Sequence, residues 1–198
     1  MLDYLFTTQY QMRGILSISL GRISGTNEGS YTHGVFMRFQ NKEDVGTFYE
    51  NPFYLKVLQK YVSPYCHELI NVDYETEVED DILCIFRKGE EFNHGVEFVH
   101  LFEFEDKLSA EDALSSLEDL ANDNLSLVVQ FTTGSNFNVS SKQYTHGVVI
   151  RFRSTEAFHM FAGSTDYSGV WNSKFKSIVK KSLPLCFNVD PVGKTIAE

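Results

Sequence analysis

Basic residues are in short supply in this chain: 17 Lys and Arg stand against 27 Asp and Glu, a net charge of −10. That balance repels phosphate backbones and anionic lipid, and so argues against a nucleic-acid partner. The basic clusters Lys174-Phe175-Lys176 and Lys180-Lys181 read as the solvated face of a helix. Cysteine is also scarce. Cys66, Cys84 and Cys186 are odd in number and form no C-x-x-C pair, so neither a disulfide framework nor a zinc knuckle is indicated, and a reducing compartment is expected. No apolar run approaches the ~20 residues of a membrane span. The opening Met1-Leu2-Asp3 has no basic flank and gives way to Thr7-Thr8-Gln9, which argues against a signal peptide and for a cytoplasmic location. No glycine-rich phosphate loop is found either, since Gly21 and Gly134 begin polar connections of the kind that join hairpin strands.

What remains is an ordinary globular composition, 42% hydrophobic and 22% charged, in a length of 198 residues. That is enough for two domains of ~100 residues. A repeat supports the division. Tyr31-Thr32-His33-Gly34-Val35-Phe36-Met37-Arg38-Phe39 and Tyr144-Thr145-His146-Gly147-Val148-Val149-Ile150-Arg151-Phe152 share seven of nine residues at an offset of 113. Gly21 with Gly134 and Phe48 with Phe161 keep that offset. Pro64 and Cys66 match Pro184 and Cys186 at 120, and Asn71-Val72-Asp73 matches Asn188-Val189-Asp190 at 117, as small insertions before the last strand would produce.

The second copy reads as a complete unit. Phe98, His100, Phe102 and Phe104 alternate with Val99, Leu101 and Glu103, the period of a strand. Ser109 with Asp112 is expected to open an amphipathic helix with the stripe Leu114, Leu117, Leu120. Strands follow over 125–133 and 144–152, then a helix from Ser154 carrying Trp171, Phe175 and Ile178, then a strand over 185–189. The order β-α-β-β-α-β is the ferredoxin-like motif. The first copy is expected to be N-terminally truncated, keeping a helix tail over 2–8 and a strand over 14–19 but no first strand; Ile82 to Phe86 is a candidate to fill the empty place. The expected division is 1–75 for the first module, 76–93 for a linker and 94–198 for the second.

The Tyr-Thr-His-Gly-Val-x-x-Arg-Phe motif, present twice, with Asn51-Pro52-Phe53-Tyr54 after it and a Pro-x-Cys segment in each copy, resembles the stress-response A/B barrel family in its tandem plant form. The resemblance implies an α+β fold, in which two ferredoxin-like modules form an intrachain dimeric α+β barrel, with an additional homodimer as a further option. It also implies a non-enzymatic stress or defence role, antifungal or antimicrobial in some relatives. The polyketide cyclase branch of the superfamily uses a His after a His-Pro dipeptide together with a Tyr. Here those positions are Tyr54 and Phe48, and the second copy offers only Ser164-Thr165-Asp166-Tyr167, so catalysis of that kind is not expected.

His33 and His146 recur on strand faces with Val35, Met37 and Phe39 or with Val148, Ile150 and Phe152, faces that should be buried. Each reads either as a core histidine with a hydrogen-bonding partner or as a pocket residue. The alternative to the defence role is thus a small-molecule binder or cyclase-like enzyme with an apolar cavity in the second module, lined by Phe98, His100, His146, Val148 and Trp171, with His33 as the repeat's counterpart. A site of three histidines would require His33 to converge with the other two from the other copy, so neither a metal nor another cofactor is expected. Cys66 and Cys186 read as packing residues, because no basic neighbour recurs beside them.

Overall fold

A computed structural model describes residues 1–78 and 95–189 of the chain. In the second module the alternation of apolar residues becomes β3, Val96–Phe104, whose Phe98, His100, Phe102 and Phe104 pack under the helices while Glu97, Val99 and Leu101 face the other way. Asp106, not Ser109, opens α4, Lys107–Asn122: its carboxylate accepts from the amides of Leu108 and Ser109 at 2.9 and 3.3 Å. An aspartate at the N-cap satisfies two otherwise orphaned donors and favours the positive helix end. The stripe Leu114, Leu117, Leu120, with Ala110, Ala113 and Ala121, then buries against the sheet. β4, Val128–Ser135, and β5, His146–Phe152, lead to α5, Thr155–Ala162, capped by Ser154, and to α6, Thr165–Val170, capped by Ser164. A π-helical turn, Trp171–Phe175, delivers Phe175 into the core, and β6, Val179–Asn188, completes an antiparallel sheet of order β4-β5-β3-β6. β6 begins six residues before the expected 185, so Lys180 and Lys181 stand exposed on an edge strand rather than on a helix. Lysine on an edge discourages sheet-to-sheet association.

The first module repeats these elements in part. α1, Leu2–Gln11, is joined through Gly14, at φ 90°, to β1, Ile15–Arg22, which pairs antiparallel with β2, His33–Phe39. α2, Lys42–Glu50, is capped by Asn41; Asn51 caps α3, Pro52–Val57, with Pro52 in the first turn where its missing N–H costs nothing. A π-helical turn, Leu58–Val62, follows at the same offset of 113 as its counterpart. The expected strand after Pro64-Tyr65-Cys66 does not form. Residues 66–78 carry no regular pairing within their own module and lie instead on the second, where the Phe137 amide donates to the Asp73 carbonyl (2.8 Å) and the Asp73 amide to Asn136 Oδ1 (3.1 Å). Among the described residues the first module's sheet therefore has two strands. Ile82 to Phe86, the candidate to fill the sheet, lies outside the described residues. No helix among those described is long and apolar enough to cross a membrane.

The two sheets meet face to face. Arg38 on β2 and Arg151 on β5, the repeated arginines, both reach Glu97 on β3, at 3.0 and 2.9 Å, and Arg38 also donates to Ser19 Oγ and Gln130 Oε1. All three charged groups are buried. Burial alone would push the Glu97 carboxyl up, but the two guanidiniums outweigh it and hold the group below its usual range. Glycines make the approach possible. Gly21 pairs with Gly34 across β1 and β2, and Gly134 with Gly147 across β4 and β5. A Cβ at Gly34 would strike the ring of Phe187 from β6, and one at Gly147 would press on Tyr74 from the 66–78 run. Phe187 and Tyr74 thus occupy equivalent places at the offset of 113, so the structure restores in space the register that the Asn-Val-Asp match breaks in sequence.

Candidate binding site

The residues singled out in the second module do gather on one side of its sheet, where their side chains fill the space. His100 lies between Phe102, at a ring-centroid distance of 4.0 Å, and Trp171, stacked at 5.5 Å, with Phe98 at its edge. Burial depresses its pKa to about 3, so it is neutral, and neither ring nitrogen has a hydrogen-bond partner among the described residues. Val148 is completely buried in the same cluster. His146 holds Ser135 Oγ with Nε2 (3.0 Å) and Thr145 Oγ1 with Nδ1 (2.9 Å), and its pKa is lowered first by burial and then by Lys107. It has the geometry of a satisfied core histidine. His33 lies in the other module and is exposed, contrary to the buried face expected there; Val35 beside it is 40% exposed. The reason is that the strand and helix covering His146 have no counterpart over His33 among the described residues. The three histidines do not converge, and no group of three or more His, Cys, Asp or Glu among the described residues is placed to hold a metal.

A cavity opens elsewhere, in the first module. It measures about 500 Å³ between β2, the run 69–78 and the helices α2 and α3, and Gln130, Thr132 and Phe137 of the second module also line it. This is the size of a small-molecule or short-peptide site. Its walls are rich in rings: Phe39, Phe48, Tyr49 and Tyr54 form one packed group, Phe48 and Tyr54 at 4.0 Å. Phe48 and Tyr54 are the positions at which the cyclase pattern fails, and the structure brings them together on this wall.

One polar constellation beside the aromatic wall joins the two modules. Tyr49 Oη donates to the Asp73 carboxylate, 3.0 Å from each oxygen, and Asn138 Nδ2 of the second module donates to the same carboxylate at 2.6 Å. Burial, followed by the Asp73 charge, raises the pKa of both Tyr49 and Tyr54, so both phenols stay protonated at neutral pH. They are hydrogen-bond donors and not bases. No histidine is among the described lining residues; beside its rings and the phenols of Tyr49, Tyr54 and Tyr74 the wall carries Arg38, Lys42 and the carboxylates of Glu43, Asp73 and Glu75. Sequence reasoning missed Tyr49 and Asn138 altogether. Of that polar group the sequence had singled out Asp73, within the duplicated Asn-Val-Asp.

No curated protein matches the chain. Among solved structures, a mutant chlorite dismutase from Candidatus Nitrospira defluvii is similar over 96% of this chain and 80% of its own, with 9% identity and a TM-score of 0.58. At that identity the likeness is one of fold, and it spans both modules together. A dimeric ferredoxin-like protein of unknown function from Thermobifida fusca matches 48% of this chain and 92% of its own, at 14% identity and TM-score 0.43. The hydroxynitrile lyase from Passiflora edulis matches 48% and 94%, at 14% identity and TM-score 0.44. The profile of the stress responsive A/B barrel domain matches twice, over residues 2–76 and 88–188. With one match to each module and most of the sequence covered, this chain belongs to the stress responsive A/B barrel domain family.

Proposed function

We propose that this chain serves a stress or defence role by binding rather than by catalysis, with the first-module cavity as its binding site and the second module as its scaffold. The observation that carries the reading is the contrast between a second module filled by its own side chains and a first module open by about 500 Å³. Phe48 and Tyr54 support the absence of cyclase-type chemistry, since a phenylalanine exchanges no proton and a phenol with a raised pKa is a poor base. The two sheets, joined through Arg38, Glu97 and Arg151, act in this reading as a pseudo-dimer within one chain. Antifungal action is the form of defence proposed. Its test is growth of a filamentous fungus with purified protein, with heat-denatured protein, and with Val35→Trp, which places a ring at the cavity's exposed margin. Native protein should slow growth, while the other two should not, Val35→Trp keeping the native circular dichroism and melting curve. Equal inhibition by folded Val35→Trp would remove the cavity from the account, and no inhibition by native protein would remove the antifungal role.

A further inference from the structure

The two modules fasten their π-helical turns to their first helices in different ways. In the second, Lys174 on the turn reaches Asp112 on α4 at 2.8 Å, an ion pair open to solvent. At the offset of 113, Lys174 corresponds to Tyr61. Tyr61 lies on the first module's turn and meets α1 through Tyr4: the rings are stacked, with centroids 3.7 Å apart and planes 8° from parallel. That is the separation of carbon atoms in van der Waals contact. Tyr4 is 43% exposed and Tyr61 half-buried, so dissolved reagents reach the stack. The hydroxyls also act on one another. Hydrogen bonding from Tyr4, then from Lys60, eases the ionisation of Tyr61, while Tyr61 makes that of Tyr4 harder. Tyr49 and Tyr54, by contrast, meet edge to face at 6.2 Å.

We propose that Tyr4 and Tyr61 form a site of oxidative cross-linking, joined as a dityrosine by a one-electron oxidant such as a peroxidase with hydrogen peroxide. Each phenol gives up one electron and its hydroxyl proton. The two phenoxyl radicals then pair their electrons in a new bond between ring carbons ortho to the oxygens. The hydrogens displaced from those carbons pass through solvent to the oxygens, which restores both phenols. The chain loses two hydrogen atoms in all, and one hydrogen peroxide becomes two waters. Stacking supplies the step that is slow in solution, the meeting of two short-lived radicals. Tyr61 is the ring primed to react, because a phenol that ionises readily also gives up an electron readily. The new bond would close residues 4–61 into a loop and fix α1 on the turn, constraining the unfolded chain as a disulfide does. Neither ring is among the described residues that line the cavity, so the site stands apart from the binding reading above.

The test treats the intact protein with a peroxidase and hydrogen peroxide, then digests it with trypsin for mass spectrometry. Dityrosine fluorescence should appear in a band of unchanged size on a denaturing gel. A peptide ending at Arg13 should be joined to one beginning at Tyr61, lighter by two hydrogens, with fragment ions placing the bond at Tyr4 and Tyr61. Its yield should be at least about tenfold that from the chain unfolded in urea and treated alike. Tyr4→Phe and Tyr61→Phe, each with native circular dichroism, should both abolish the joined peptide, and the cross-linked monomer should melt at a higher temperature than untreated protein. Coupling mainly between chains, through Tyr10 or Tyr65, would overturn the proposal. Equal yield from the unfolded chain, or fluorescence unchanged in both variants, would do the same. A cross-linked monomer that melts no higher would remove the staple from the account.

Discussion

Two strands of nearly the same sequence meet opposite fates in this molecule. β5, His146–Phe152, is buried at every residue, whereas β2, His33–Phe39, is mostly exposed or half-exposed although it shares His, Gly, Val, Arg and Phe with β5. Composition cannot account for the difference. β5 lies between β4 and β3 beneath helices, while among the described residues β2 has one neighbour. Burial of a strand is set by what is laid against it, and five residues shared out of seven serve as core in one setting and border a cavity in another.

The sharpest way to break this comparison is at the joint the modules share. Glu97→Ala leaves Arg38 and Arg151 facing one another in a buried place, and should cost about 3–5 kcal/mol in urea denaturation, with loss of structure in both modules at once. A much smaller cost, or separate transitions for the two modules, would mean that the sheets stand independently. A second test compares equivalent faces. Val148→Ala on β5 should cost about 2–3 kcal/mol, and Val35→Ala at the equivalent place on β2 less than about 0.5 kcal/mol, both read from the same denaturation curves. Similar costs would show that β2 is covered as fully as β5.

A third test concerns acid, where the effect at neutral pH is small and grows only as pH falls. His100 has its pKa depressed to about 3 in the folded chain against the usual 6.5. The unfolded chain therefore binds the extra proton first as pH falls, and stability declines from about pH 6.5 towards 3 by up to about 1.4 kcal/mol per pH unit. His100→Phe should remove that slope while leaving stability at pH 7 within about 1.5 kcal/mol, as measured by thermal melts across this window. Because His100 belongs to the second module's core, an unchanged slope would place the chain's acid sensitivity elsewhere.

The repeated motif made the modules and most of the second sheet legible in sequence, because alternation and helical stripes report a buried face directly. The errors have local physical causes. Ser109 with Asp112 imitates a capping box, but Asp106 lies nearer the strand and caps first. Lys180 and Lys181 disguise the first half of β6, since an edge strand tolerates charge that an inner strand does not. The Pro-x-Cys pattern occurs in both modules, yet only the copy flanked by β3 forms a strand, because strand pairing depends on a neighbour distant in sequence. The candidate site was less legible for the same reason. Tyr49, Asp73 and Asn138 come from three segments and two modules, and their meeting is a product of how the sheets dock.

The docking has a bearing on the order of events at the ribosome. Arg38 waits 92 residues for Gln130, its partner, and Ser19 lies 132 residues ahead of Arg151. The early half therefore emerges before the groups it faces across the joint, and the joint can close only once Arg151 has been made. Such distant closures are slow to form.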